Sequence, residues 1–167
     1  MEITNIHSFL RYFERVRQRT LKVIEQIPPD KIEWTYHPDK FTFGDIIRHL
    51  ATIERYMYAE NAQFKPSAYA GCGKELAEGY ENVLLFLEEK HLESVEIFSR
   101  LTSEDLKKKC LVPSGHAISL WKWLRAMVEH EVHHRGQIYA YLGILELEVP
   151  KLYGMTSEQV AEVSVRK

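Results

Sequence analysis

Two histidines lie four residues apart in the stretch HEVHH, which spans residues 130–134 and carries a glutamate after its first histidine. On a helix, side chains at positions i and i+4 share one face, so these two imidazoles can bind a single metal ion. The pattern H-E-x-x-H is typical of zinc proteases, in which the glutamate acts as the general base. The extended protease motif also needs glycine at position 137 and histidine at position 140, where this chain has glutamine and alanine. The sequence therefore favours a metal site of another kind over a protease.

A further histidine, His49, belongs to a separate segment with helical periodicity. At about 100° per residue, His130 and His134 fall on the inward stripe of their helix, His133 falls off that stripe, and His49 lies on the inward face of its own helix. Three inward imidazoles on two helices predict a divalent-metal site with His49, His130 and His134 as ligands. Imidazole nitrogen suits zinc, nickel, copper or iron, and three protein ligands leave a coordination position for water or substrate. The alternative is that the histidines are packing residues held by hydrogen bonds.

Polar residues near the predicted ligands are candidates for catalysis or binding. Asp45 precedes the upstream histidine by one turn and could orient its ring, or it could simply cap the helix. Tyr141 is a catalytic candidate and Gln137 a cofactor-binding candidate, because both continue the histidine stripe; packing is the alternative for each. Arg135 could bind an anionic group of a cofactor or substrate, or lie in solvent or a dimer contact. Glu131 is the candidate general base.

The elements that must position these residues are four segments in which apolar residues recur every three or four positions. The first spans about residues 4–26, the second begins near Thr42, the third spans about 74–101 and the fourth about 118–146. The sequence from Thr42 to Asp45 resembles a capping box, and Thr156 or Ser157 could begin a short terminal helix. Links of about fifteen residues can cross a bundle. The sequence predicts an all-α four-helix bundle with long crossover links and a short C-terminal helix, as a single domain over residues 1–167, and no strand.

Composition excludes several classes of protein. The formal net charge of -2 argues against a nucleic-acid binder, which would need a basic face. The chain has no apolar run of the roughly 20 residues that a membrane span requires, and its first residues do not form a signal peptide. Cys72 and Cys110 form no C-x-x-C motif and are too few for a disulfide framework, so we expect free thiols, with a single disulfide as the alternative. These features predict a cytoplasmic protein that acts on a small molecule.

Three stretches carry a family resemblance: FTFGDIIRHLATIERY, HEVHHRGQIYAYL and VPKLYGMTSEQV. Together they resemble the DinB/YfiT-like bacterial proteins, and the similarity covers nearly the whole chain. The resemblance implies a four-helix bundle, a homodimer, and a zinc, nickel or other divalent ion held by one histidine of the second helix and an H-x-x-x-H pair of the fourth. Those positions are His49, His130 and His134 here. In this family the position of Glu131 is not fixed as glutamate, so its place in the HEVHH pattern is incidental.

The resemblance and the predicted site lead to three hypotheses for function. The main one is a metal-dependent S-transferase that uses a low-molecular-weight thiol of the bacillithiol type, or a related stress or detoxification enzyme. A ligand set of three neutral imidazoles leaves the full charge on the metal, which favours deprotonation of a thiol. The second hypothesis is a metal-dependent hydrolase with metal-bound hydroxide as nucleophile and Glu131 as base. The third is a non-catalytic metal-binding protein of the stress response.

Overall fold

The computed structural model describes residues 2–165, and its long helices form the predicted four-helix bundle. In chain order the elements are α1 Ile6–Ile24, α2 Phe43–Ile53, a π-helical turn Glu54–Tyr58, α3 Ala59–Ala62, α4 Tyr80–Ser99, α5 Ser103–Lys107, β1 Lys109–Leu111, β2 Ala117–Ser119, α6 Leu120–Ile144 and α7 Ser157–Val165. Short 3-10 turns lie at Pro29–Lys31 and Lys74–Leu76. Helix α1 packs on α4 and α6, and α2 packs on the same two helices from the other side. The ring order is therefore α1, α4, α2, α6.

The start of α2 is fixed by the predicted capping box. The Thr42 hydroxyl accepts a hydrogen bond from the Asp45 amide at 2.9 Å, and the Asp45 carboxylate accepts one from the Thr42 amide at 2.9 Å. Such a pair satisfies two backbone donors that the first helical turn would otherwise leave unpaired. The buried guanidinium of Arg48 then pairs with Asp45 at 2.7 Å and with Glu33 at 2.8 Å. These contacts fix the start of α2, the helix that carries His49.

The apolar core divides into two clusters, one toward each end of the bundle. Burying a leucine, isoleucine or phenylalanine side chain contributes about 1.5–3 kcal/mol, so both clusters are large sources of stability. One cluster includes Phe9, Phe13, Val16, Met57, Phe98, Leu124 and Val128, and the other includes Val23, Ile24, Phe43, Ile46, Ala51, Leu87, Ile138 and Leu142. Between them every long helix carries polar residues. This middle level of the bundle is called the polar layer below.

Two boundaries differ from the sequence prediction. Helix α4 begins at Tyr80 and not near residue 74, because Gly79 has a φ of 84° that interrupts the helix, and the preceding Ala77 is extended. A small antiparallel hairpin also lies in the link before α6, with Lys109 opposite Ser119 and a turn through Gly115 at φ 81°. Strands of three residues are too short to give a detectable alternation in the sequence. The prediction of no strand was therefore wrong for this link.

The C-terminal helix α7 forms where the sequence predicted a short terminal helix. Thr156 and Gln159 bond each other across its first turn, with the Gln159 side chain accepting from the Thr156 amide at 3.0 Å. No residue of Ser157–Val165 is buried. Both cysteines are free thiols, as expected. Within residues 2–165, none of the helices combines the length and the apolar character needed to cross a membrane.

Candidate metal centre

Three imidazoles converge between α2 and α6. The Nε2 atom of His130 lies 3.1 Å from Nε2 of His49 and 3.1 Å from Nε2 of His134. One potential ligand atom from each of the three rings lies within 4.8 Å of the others. A tetrahedral ion with bonds of about 2.0–2.1 Å to nitrogen would place neighbouring ligand atoms about 3.3 Å apart. The structure thus brings the three predicted residues together at a spacing that could hold a metal ion.

Helix geometry explains which histidines meet. His130 and His134 are one turn apart on α6 and face α2, whereas His133 is exposed on the outer side of α6. His49 is half-buried and projects from the middle of α2 toward the pair. The predicted phase of all four side chains on their helices is confirmed by their positions.

Two of the rings have hydrogen-bond partners on their far nitrogen. Nδ1 of His49 lies 2.9 Å from the hydroxyl of Tyr69, and Nδ1 of His134 lies 3.0 Å from Oε1 of Gln137. An Nδ1–H group that donates to such a partner leaves the Nε2 lone pair free for a metal. Gln137 is a cofactor-binding candidate from the sequence, and its contact with the site is through the His134 ring. Tyr69 was missed, because it lies in the irregular link before α4 where no periodic pattern marks a residue as inward.

Aromatic side chains border the three histidines. The ring of Phe41 lies 5.6 Å from that of His49 and is 39% exposed, and the buried Tyr58 ring lies 6.2 Å from that of His130. Tyr141, a catalytic candidate, contacts Gln137 and the Phe41 backbone, and no contact links it directly to a histidine. Tyr141 therefore contacts two residues next to the histidines, Gln137 and Phe41, and not the histidines themselves.

Glu131 points away from the three histidines. Its carboxylate accepts a hydrogen bond from Thr20 at 2.7 Å and pairs with Arg17 at 3.1 Å, and both partners lie on α1. Adjacent helix positions differ by about 100°, so Glu131 must leave α6 in a different direction from His130. Burial raises the pKa of this carboxyl, against the opposing effect of Arg17. This placement supports the incidental interpretation of the HEVHH glutamate.

Two other candidates also lie outside the convergence point. Asp45 caps α2 and pairs with Arg48, so it does not orient His49; the contact to that ring comes from Tyr69. Arg135 is buried and not in solvent, with its guanidinium donating to the Val16 carbonyl at 3.4 Å and to the Tyr153 hydroxyl at 3.4 Å. Arg135 therefore joins α6 to α1 and to the C-terminal segment.

The electrostatic environment keeps the imidazoles neutral. Burial, followed by the charge of His134, lowers the pKa of His49 from its ordinary 6.5 to about 4. Burial and the neighbouring histidines lower the pKa of His130 to about 3, and burial also lowers the pKa of His134. Neutral imidazole is the form that binds metal ions, so no proton needs to be displaced at neutral pH. The donor set therefore fits a divalent ion.

Comparison with known proteins identifies the family. The DinB superfamily pattern matches residues 12–138 of the chain. A DinB-like protein of Bacillus cereus ATCC 10987 has a similar structure, with a TM-score of 0.74 and 19% identity over 90% of this chain and 99% of that one. A DinB-like protein of Bacillus subtilis, YjoA, has a TM-score of 0.71 and 18% identity over 87% of this chain and 97% of that one. TT2238, a four-helix bundle protein, has a TM-score of 0.63 and 19% identity over 81% of this chain and 99% of that one.

At these identities the solved structures support the fold, and the family assignment rests on the sequence match, which spans most of the bundle and includes all three converging histidines. No curated protein matches the chain. The chain carries the fold, the histidine constellation and the sequence pattern together, and it belongs to the DinB superfamily.

Proposed function

We propose that His49, His130 and His134 bind one divalent metal ion through their Nε2 atoms, and that the protein is a metal-dependent S-transferase acting with a low-molecular-weight thiol. The observation that carries this proposal is the convergence of the three Nε2 atoms, with neutral partners on Nδ1 of two rings. Zinc and nickel are the favoured ions, because both accept imidazole ligands.

The ion would supply Lewis acidity, which lowers the pKa of a thiol from its ordinary value of about 8.5. The chain contributes the neutral ligand set, because no carboxylate is part of the converging group. Phe41 and Tyr58 border that group and reduce its contact with water, which strengthens electrostatic interactions there. These aromatic walls suit a substrate with an apolar part next to the thiol.

The placement of Glu131 favours the transferase over the hydrolase. A hydrolase of the kind considered needs a general base within hydrogen-bond reach of the attacking water. Glu131 contacts Thr20 and Arg17 on α1 instead. A purely structural metal is disfavoured as well, because structural zinc sites are typically closed by four protein ligands, and the converging group has three.

A cobalt experiment tests the proposal. Protein loaded with Co²⁺ should develop a sulfur-to-metal charge-transfer band when a small thiol is added, and the band should disappear in His130→Ala. His133→Ala, which removes an exposed imidazole of the same helix, is the matched control and should retain the band. Tight cobalt binding with a spectrum that neither thiol nor azide perturbs would mean a closed coordination sphere and would rule out the transferase.

We also propose a cytoplasmic homodimer. Exposed apolar side chains on α6 and α7 support an interface between two copies, among them Val132 at 41%, Val160 at 48% and Val163 at 48% exposed. The two free thiols fit a reducing compartment. Sedimentation at micromolar concentration should give the mass of two chains; a monomer under these conditions would remove the claim.

A further inference from the structure

We infer that a hydrogen-bond relay from His134 through Gln137 and Tyr141 to the backbone carbonyl of Phe41 determines which nitrogen of His134 carries the proton. Gln137 and Tyr141 are then positioning residues, and Phe41 terminates the relay. The inference rests on the proposed metal site for its functional meaning. The relay itself is a property of the metal-free chain and can be tested without a metal.

The three contacts form a continuous path. Nδ1 of His134 lies 3.0 Å from Oε1 of Gln137, the Gln137 amide donates to the Tyr141 hydroxyl at 3.1 Å, and the Tyr141 hydroxyl donates to the Phe41 carbonyl at 3.1 Å. Each distance is within the normal range for a hydrogen bond. The path joins a ligand on α6 to the residue two positions before α2.

The Phe41 carbonyl at the end of the path fixes the donor and acceptor of every hydrogen bond in it. A backbone carbonyl can only accept, so the single proton of Tyr141 must be donated to Phe41. The Tyr141 oxygen must then accept from Gln137, which turns the amide NH₂ toward Tyr141 and the amide oxygen toward His134. An oxygen facing Nδ1 requires that His134 carry its proton there. Nε2 of His134 is therefore left unprotonated and directed at the other two histidines.

Packing holds the relay in place. Tyr141 is 3% exposed, and its ring makes edge contacts with Trp34 at 5.8 Å, Tyr36 at 5.2 Å and Phe43 at 5.5 Å between centroids. The Tyr141 ring cannot carry its hydroxyl oxygen to another acceptor without disturbing these three neighbouring rings. The relay also anchors the backbone of Phe41, whose ring lies beside that of His49. One chain of hydrogen bonds thus organises features on both helices of the site.

The first test is the tautomer of His134 in the metal-free protein, read from its ¹⁵N chemical shifts and assigned against His134→Gln. The wild type should show the Nδ1–H tautomer. Tyr141→Phe removes the hydroxyl but keeps the ring, so the Gln137 amide can turn over and the Nε2–H tautomer should become populated. Tyr139→Phe is the matched control: it lies on the same helix and also loses a hydroxyl that donates to a backbone carbonyl, that of Pro150, but it has no link to a histidine.

A second variant separates the relay from packing. Gln137→Glu offers only oxygens, so it keeps an acceptor for His134 whether or not Tyr141 is present. The double variant Tyr141→Phe with Gln137→Glu should therefore recover the Nδ1–H tautomer that Tyr141→Phe alone has lost. If the relay is merely a packing feature, the double variant will resemble Tyr141→Phe or be worse.

Zinc affinity supplies the functional measurement. Tyr141→Phe should weaken zinc binding about tenfold, at the lower end of the range for outer hydrogen-bond partners of metal-ligating histidines, and Tyr139→Phe should not. An unchanged His134 tautomer in Tyr141→Phe, or equal effects in Tyr141→Phe and Tyr139→Phe, would overturn the inference. Absence of zinc binding in the wild type would instead overturn the proposed function, and the tautomer result would still decide the relay.

Discussion

The polar layer of the bundle contains two neighbouring groups of side chains with opposite electrostatic character. The first is the histidine triad, His49, His130 and His134, between α2 and α6. The second, called the charge cluster here, consists of one residue from each long helix or its continuation: Arg17, Glu54, His91 and Glu131. Arg17 pairs with both carboxylates, and Nδ1 of His91 lies 2.9 Å from Glu54. Every member of the charge cluster is buried.

Histidine behaves differently in the two groups. Burial disfavours the charged form of His91, but the hydrogen bond to Glu54 and the charge of that carboxylate outweigh burial and raise the pKa of His91. At His49 and His130 the neighbours are other imidazoles, so nothing outweighs burial and the pKa of each falls. The difference shows that the partner, more than depth in the bundle, decides whether the pKa of a buried histidine rises or falls.

The two groups are suited to different roles, the charge cluster to stability and the triad to the proposed metal binding. Removing one partner of a buried ion pair leaves an uncompensated charge, so we expect the charge cluster to matter for stability. Neutral imidazoles with one free nitrogen can accept a metal instead. Adjacent residues of α6 serve the two groups, since His130 belongs to the triad and Glu131 to the charge cluster.

The largest predicted effect is the loss of stability on breaking the charge cluster. Arg17→Met removes the cation that pairs with Glu131, leaves His91 as the remaining partner of Glu54, and should lower the free energy of unfolding by about 3–5 kcal/mol. Urea denaturation measures this, and adding Glu54→Gln and Glu131→Gln to Arg17→Met should restore much of the loss. Arg125→Met removes an exposed ion pair with Glu129 and should change stability by no more than about 0.5 kcal/mol. Equal effects at Arg17 and Arg125 would contradict a structural role for the cluster.

The next prediction concerns the triad. Tyr69→Phe removes the hydroxyl beside Nδ1 of His49 and should weaken zinc binding about 10- to 100-fold, because that contact orients the ring. Competition with a chromophoric chelator measures the affinity. Tyr139→Phe serves again as the control with full affinity. If both variants lose zinc affinity to the same extent, the cause is general destabilisation and not the contact between Tyr69 and His49.

The pH dependence of stability should have opposite signs in the two groups. Folding raises the pKa of His91, so its stabilising contribution is complete below the unfolded value near 6.5 and is lost as the pH rises through the folded value. Folding lowers the pKa of His49 and His130, so the metal-free protein should lose stability as the pH falls from 6.5 toward 4.

Urea denaturation of the metal-free protein across this range tests the sign. Relative to the wild type, His91→Gln should flatten the alkaline side of the profile, and His130→Gln should flatten the acid side. Neither substitution changes the other charged groups around His91, which are Glu14, Arg17, Glu54 and Glu131. The same slope change in the two variants would show that the two groups do not differ as described.

The smallest predicted effect distinguishes capping from ligand orientation. Asp45→Ala removes the carboxylate of the capping box and should cost about 1 kcal/mol of stability, together with its pairing to Arg48. Zinc affinity should stay at the wild-type value, because no contact joins Asp45 to His49. A reduction in affinity comparable to that of Tyr69→Phe would restore the orienting role that the sequence had suggested.

How much of the site was predictable depends on whether the signal is local. The triad and the capping box follow from helical phase and from a four-residue motif, and both were predicted. Tyr69 could not be predicted, because its place beside His49 is set by how an irregular link folds over α2. The direction of Glu131 could be estimated from phase, but its partners on α1 depend on packing between helices distant in sequence. The hairpin before α6 fell below the length at which alternation can be detected.

Metal stoichiometry tests the central claim most directly. Protein purified without a nickel column, stripped with chelator and titrated with zinc, should bind one ion per chain. His49→Ala, His130→Ala and His134→Ala should each lose most of this affinity, and His133→Ala should keep it, although His133 and His134 are adjacent and differ only in direction from the helix. Loss of binding in His133→Ala, or full binding in His134→Ala, would contradict the triad as the metal site.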